Sequence, residues 1–172
     1  MSENYAVTVI EGEIPIADMT TLERLVLGSM FTCEEADEGR VRFYAEEGAA
    51  DWVSPDPVVL AAARRDSASI PSRLNAYIDQ TLALYGADPA VEVEIDMTGL
   101  CWESILQDIV RRSPTLRYVS TSTAFTCSKM TAGGFGGAAS VVTADAVWSQ
   151  STHAFIENRI AKIEAASGDV GA

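Results

Sequence analysis

The sequence predicts an α+β domain: a mixed β-sheet of about five strands with helices packed on it in a layered arrangement. Three observations carry that prediction. Stretches of period-two hydrophobicity interleave with stretches of helical period in the order β, α, β, α, α, β, α, β, β, α. The length, 172 residues, fits one domain. The apolar fraction, 48%, is ordinary for a globular chain and too high for a disordered one. A chain of this size buries roughly 70% of the surface its unfolded form exposes, so it needs neither disulfide nor metal to hold a core. A single domain over 1–166 with a frayed tail at 167–172 is expected.

The first strand is Tyr5 to Ile10. Tyr5, Val7 and Val9 alternate with Ala6, Thr8 and Ile10, and both sets are apolar enough for a central place in a sheet. Thr20 and Glu23 have the spacing of a capping box, in which each side chain satisfies the other residue's free backbone N–H. Leu22, Leu25, Val26 and Met30 follow at helical spacing and predict a helix over 20–33. The acids Glu34, Glu35, Asp37 and Glu38 oppose the macrodipole at its end and so close it. Val41, Phe43 and Ala45 then alternate with Arg40, Arg42 and Tyr44 as a half-buried strand.

Residues 46–57 read as loop. Asp56 and Pro57 open a short helix over 57–65 that ends on Arg64 and Arg65. Ser69 and Pro71 repeat that opening before a second helix with the stripe Leu74, Tyr77, Ile78, Thr81, Leu82 and Tyr85, stopped by Gly86. Val91 to Met97 alternates most regularly, with Glu92, Glu94 and Asp96 all on one face. Thr98 is the expected cap of a helix whose stripe is Trp102, Ile105, Leu106, Ile109 and Val110, and Pro114 forbids its continuation. Residues 116–127 are β-branched and aromatic, so 91–127 reads as a β-α-β unit of the kind that makes a right-handed parallel crossover. A glycine-rich connection leads to a strand over 138–144, which makes a hairpin near the C-terminus. Ser151 or Thr152 then caps a last helix with Ile156, Ile160 and Ile163 as its seam.

Charge narrows the function more than any motif does. The net charge is −13, of which residues 1–56, with 13 acids and three arginines, carry −10. Such a chain is repelled by nucleic acid and anionic lipid headgroups, so neither is expected as a direct partner, whereas a basic protein surface is. Acidity also simply aids solubility. No stretch approaches the ~20 apolar residues of a membrane span. The start MSENYAVTVIEGE lacks the basic region of a secretion signal, so a cytoplasmic location is expected. Cys33, Cys101 and Cys127 are scattered and odd in number, which is no disulfide framework.

Four constellations could carry chemistry. Glu92, Glu94 and Asp96 form a carboxylate row that could take a hard cation, or could be a solvated sheet face paired with Arg40 and Arg42. The cluster Gly133, Gly134, Phe135, Gly136, Gly137 lets backbone approach a ligand closely, but it leads into a strand and lacks the P-loop pattern. Phe135 in that loop is a candidate recognition side chain. Cys101 or Cys127 with His153, the one histidine, could make a nucleophile and base. Cys101 is placed at a helix N-terminus, which lowers a thiol pKa; a buried structural cysteine is the alternative. The hydroxyl-rich run Ser120 to Thr123 could line a polar pocket or a wet sheet face. No cofactor is implied.

The stretch CSKM…GFGGAASVVTADAVWSQST, Cys127 to Thr152, resembles C-terminal segments of uncharacterised proteins carried by bacterial plasmids, phages and integrated elements. The resemblance covers about a sixth of the chain and transfers no site; it implies a mobile-element accessory protein. The leading expectation is a non-enzymatic interaction protein, as a counter-defence or regulatory factor, whose carboxylates Glu34, Glu35, Asp37, Glu38, Glu46 and Glu47 engage a basic, nucleic-acid-handling protein surface. The alternatives are an oligomeric module anchored by an exposed residue among Trp52, Trp102 and Trp148, and a small cysteine-dependent hydrolase or transferase.

Overall fold

A computed structural model describes residues 4–85, 93–129 and 134–168. In chain order they form β1 (Asn4–Pro15), α1 (Thr21–Met30), β2 (Thr32–Ala36), β3 (Arg40–Ala45), β4 (Trp52–Val53), α2 (Pro57–Asp66), α3 (Arg73–Tyr85), β5 (Ile95–Asp96), α4 (Trp102–Arg112), β6 (Tyr118–Cys127), β7 (Gly136–Thr143), β8 (Val147–Ser151) and α5 (Thr152–Gly168). The α+β class holds. The main sheet has six strands in the order β2-β3-β1-β6-β7-β8, and every pairing in it is antiparallel. β1 is interior, as its apolar alternation predicts.

Register separates the sheet into two unlike faces. Thr8 pairs with Ala45, Ile10 with Phe43 and Thr121, Thr121 with Ser140, and Val119 with Val142. These residues share one face, and all are buried. α1 and α4 pack on that face, and α2 and α3 pack behind them. Leu22, Val26, Leu60, Leu74, Ile78, Ile105, Leu106 and Ile109 complete the core. The opposite face carries Val7, Val9, Ser120, Ser122, Val141 and Trp148, and none of α1 to α4 covers it.

The helix layer is joined across the sequence by charged groups. The Thr20 capping box forms as its spacing predicts: Thr20 N–H donates to Glu23 Oε2 at 2.9 Å, and Glu23 N–H donates to Thr20 Oγ1 at 3.1 Å. Glu23 is fully buried, and the same Oε2 accepts from Arg112 at the end of α4. Glu23 Oε1 and Arg112 Nη1 find no partner among the described residues, so the pair fixes geometry more than it adds net stability. Asp108 accepts from Arg73 through both backbone and side chain and from Arg111. Burial alone would raise the Asp108 carboxyl, but those bonds outweigh it and hold the carboxyl below the usual range.

Several local expectations are corrected. α1 stops at Met30, not residue 33, and the acids after it do not close a helix. Phe31 turns into the core, and Thr32–Ala36 becomes the edge strand β2, with Glu34 opposite Arg42. Of the stretch Val91 to Met97, Val91 and Glu92 lie outside the described residues. The strand described there is Ile95–Asp96, and its partner is Trp52–Val53 in a separate two-stranded sheet. The parallel crossover therefore does not form. Asp96 leaves the strand face to accept from Thr98 N–H, so Thr98 lies inside a 3-10 turn, and Cys101 takes the cap position of α4. Ser72, not Ser69, receives a backbone N–H at the start of α3. The segment 147–151, left without an element by the sequence, is the sixth strand of the main sheet. α5 runs to Gly168, past the expected fray at Ser167, and 169–172 lie outside the described residues.

Replacing Arg112 with leucine leaves Glu23 buried without its counter-charge. Chemical denaturation should show a loss of about 3 kcal/mol or more. A loss below about 1 kcal/mol, the size of an ordinary surface change, would show that the pair does not tie α1 to α4.

Candidate functional site

The six carboxylates proposed for binding all lie on or beside the β2–β3 hairpin at one edge of the sheet, and all six residues are exposed. They do not form one uniform patch. Tyr44 O–H donates to Glu34 at 3.0 Å, which raises the tyrosine pKa, and Arg24 bonds Glu35 at 2.9 Å. Arg42, facing Glu34 across the hairpin, is itself held by Glu13. Asp37 and Glu38 sit at the hairpin turn and Glu46 and Glu47 at its base, with Arg40 and Arg42 between them. From Arg40 to Glu46 the strand runs roughly 20 Å, at about 3.4 Å per residue. Charge on an edge strand also has a plain structural use, since it blocks pairing with other chains.

The cysteine and histidine candidates stand on three elements: Cys101 at the cap of α4, Cys127 at the end of β6 and His153 in the first turn of α5. Cys101 donates its S–H to Glu103, and partial desolvation followed by that bond pushes its thiol up. The expected lowering at a helix N-terminus is overturned because partial burial, and after it the carboxylate of Glu103, favours the protonated thiol. Cys127 ends β6 opposite Asn4. His153 opens α5, with its ring 82% exposed and 3.1 Å from Glu157. A depression of roughly 380 Å³ beside the start of α5 is lined by Thr123, Ala138, Ser151, Thr152 and Phe155 among others.

The carboxylate row is not assembled as expected. Glu92 lies outside the described residues, Glu94 is exposed, and Asp96 caps the 3-10 turn, with its carboxyl held low by the Thr98 hydroxyl and backbone N–H. Among the described residues no three His, Cys, Asp or Glu side chains are grouped to hold a metal ion. Arg40 and Arg42, proposed as that row's partners, instead reach Glu13.

The glycine cluster has a packing explanation where it is described. Gly133 lies outside the described residues, and Phe135 is half exposed. A Cβ on Gly137 would stand 2.7 Å from the Thr123 carbonyl oxygen, and one on Gly136 would stand 2.7 Å from Thr152 Oγ1. Gly137 N–H donates to Thr152 Oγ1 at 3.2 Å. These two glycines let the first turn of α5 close on the β6–β7 hairpin.

The feature that sequence reasoning missed is the uncovered sheet face. A solvated face of an antiparallel sheet is normally polar. Here Val7 and Val9 on β1, Val141 on β7 and Trp148 on β8 are exposed, interleaved with Ser120, Ser122 and Ala139, and Tyr118 stands 61% exposed at one end. Glu11 is the charged residue in the rows these strands share. The signal lies in β1, whose two faces are both apolar; that alternation predicts a central strand and does not say that its outer face is left uncovered. Trp52 and Trp148 are exposed indoles, whereas Trp102 packs edge-on against Phe31 at 5.4 Å. No helix among the described residues is long and apolar enough to cross a membrane.

No protein-family model matches the chain, and neither a curated protein nor a solved structure matches it.

If Cys101 is held protonated by Glu103, alkylation at neutral pH should be slower at Cys101 than for a free thiol, and Glu103→Gln should speed it several-fold. Peptide mapping after timed iodoacetamide treatment measures this. Fast labelling indifferent to the Gln substitution would contradict it.

Proposed function

We propose that this chain is a non-enzymatic interaction protein that binds a protein partner through the uncovered face of its sheet. The observation that carries the reading is the apolar, nearly uncharged row system Val7, Val9, Val141 and Trp148 on a face that no core helix covers. Apolar side chains gathered on one exposed sheet face are unusual outside interaction sites, and tryptophan is enriched among the anchors of such sites. The resemblance of residues 127–152 to mobile-element proteins supports placing that partner among host defence or regulatory components.

Pull-down from the native host tests the reading with two baits, the wild-type chain and a Val9→Lys/Val141→Lys chain. Both positions are solvent-facing, so the fold should survive. A partner retained at least about tenfold better by the wild type is expected. Recovery of no specific partner, or of the same proteins equally on both baits, would contradict it.

A second reading, a basic partner surface, is favoured by the segregation of charge. Asp37, Glu38, Glu46 and Glu47 make no ion pair with a described residue, and they lie on the most acidic part of the chain. In this reading the acids steer association, and the measured on-rate for the recovered partner should fall at least about tenfold as salt rises past physiological strength. An on-rate indifferent to salt would remove the basic-surface reading and leave the apolar face untouched.

A further inference from the structure

The two edges of the sheet are built differently. β2 at one edge carries Glu34 and Glu35, and charged edge strands resist pairing with another chain. β8 at the other edge reads Val-Trp-Ser-Gln-Ser, with no charge and no proline. Its outer backbone groups are directed away from the sheet. The turn bond from Thr143 N–H to the Ala146 carbonyl sets the alternation, so Trp148 and Gln150 bond to β7 while Val147, Ser149 and Ser151 point outward.

α5 follows β8 without a connecting residue, and it is the one long helix whose apolar stripe is not in the core. Ile156, Ile160 and Ile163 recur at spacings of four and three, on one helical face, and are 53%, 50% and 66% exposed. Phe155, one residue before the stripe, is 48% exposed and carries Arg159 over its ring. An amphipathic helix in water needs an apolar surface against which to bury such a stripe.

We propose that β8 and α5 form the interface between two copies of this chain, with β8 pairing antiparallel to β8 of the second copy and the isoleucine stripe covered across the same two-fold axis. Three observations choose a second copy as the occupant. Edge and stripe are contiguous on one chain, and a two-fold interface is self-complementary by construction. Charge permits the approach: within 147–168 Arg159 and Lys162 balance Glu157 and Glu164, while the net −10 of residues 1–56 includes the acids of the opposite, β2 edge. The area suffices, because Phe155, Ile156, Ile160, Ile163 and Val147 together expose on the order of 450 Å² in each copy, over half of the about 800 Å² per partner in a standard interface that also counts polar atoms and backbone. The resulting twelve-stranded sheet, twice the six strands of one copy, joins the two uncovered faces into one surface. This inference stands apart from the proposed function, since the copies meet at the edge and leave that face open.

Light scattering on the purified chain at high micromolar concentration tests it without any partner. A particle of twice the 18.4 kDa chain mass is expected. Ile156→Glu/Ile160→Glu should weaken association at least about 100-fold, with an unchanged circular dichroism spectrum. Ser149→Pro, which removes an outward N–H and keeps the backbone bonds to β7 though it loses the hydroxyl bond to Ser140, should also favour the monomer. Glu38→Lys at the far edge should leave the dimer intact. A wild-type monomer would overturn the proposal, and so would a dimer that both interface variants leave unchanged. Neither result bears on partner retention by the Val9→Lys/Val141→Lys bait, so the two ideas fail separately.

Discussion

An antiparallel sheet needs only one face buried, and here the helices that bury it are tied together by one buried ion pair. Glu23 closes the cap of α1 and accepts from Arg112 at the end of α4, a contact between residues 89 positions apart. Around that link lie Ser113, which donates to Asp18, and Asp108, which gathers Arg73 and Arg111. All of these bonds lie in the helix layer, and the organisation they impose is one-sided. Every core helix is drawn to the face of Ile10, Phe43 and Val142, and the face of Val9 and Val141 is left to solvent.

One-sidedness explains why the chain displays so much apolar surface despite its net charge of −13. The acids are concentrated at the β2 edge and in the loops beside it, where they shield backbone that would otherwise pair. The uncharged β8 edge and the α5 stripe lie away from them, at the opposite edge of the sheet. The molecule is therefore polarised from a charged edge to an uncharged one. Hydroxyl pairs extend the contrast across the sheet: Thr8 meets Thr123 at 3.1 Å between the two central strands and Ser140 meets Ser149 at 2.6 Å near the β8 edge, which gives polar groups on the helix side partners.

Much of the fold was legible where a local rule and the tertiary environment agreed. The capping box at Thr20 and Glu23, the Asp56–Pro57 opening of α2 and the Trp102-to-Val110 stripe of α4 are examples. Legibility failed where two periods abut. Phe31 and Cys33 can extend a helix or start a strand, and only pairing with Tyr44 and Phe43 decides it. It failed again at Val147–Ser151, where no charge or turn residue separates strand from helix. The regular alternation near Ile95 did not make a long strand because Asp96 bonds the next turn. The six acids were found correctly as exposed, but their pairing with Arg24 and Tyr44 depends on register that sequence does not reveal. The apolar outer face was visible as residues and hidden as a surface, because alternation tells which side chains share a face and not whether anything covers it.

Hydroxyl-radical footprinting of the dilute chain tests the one-sided architecture most directly. Tyr118 and Trp148 should be oxidised at nearly the rates of free side chains, while Phe43, on the helix-covered face, is protected. Protection of Tyr118 and Trp148 equal to that of Phe43 in dilute solution would mean that the outer face is already covered by the chain itself, and the account would be wrong at its centre.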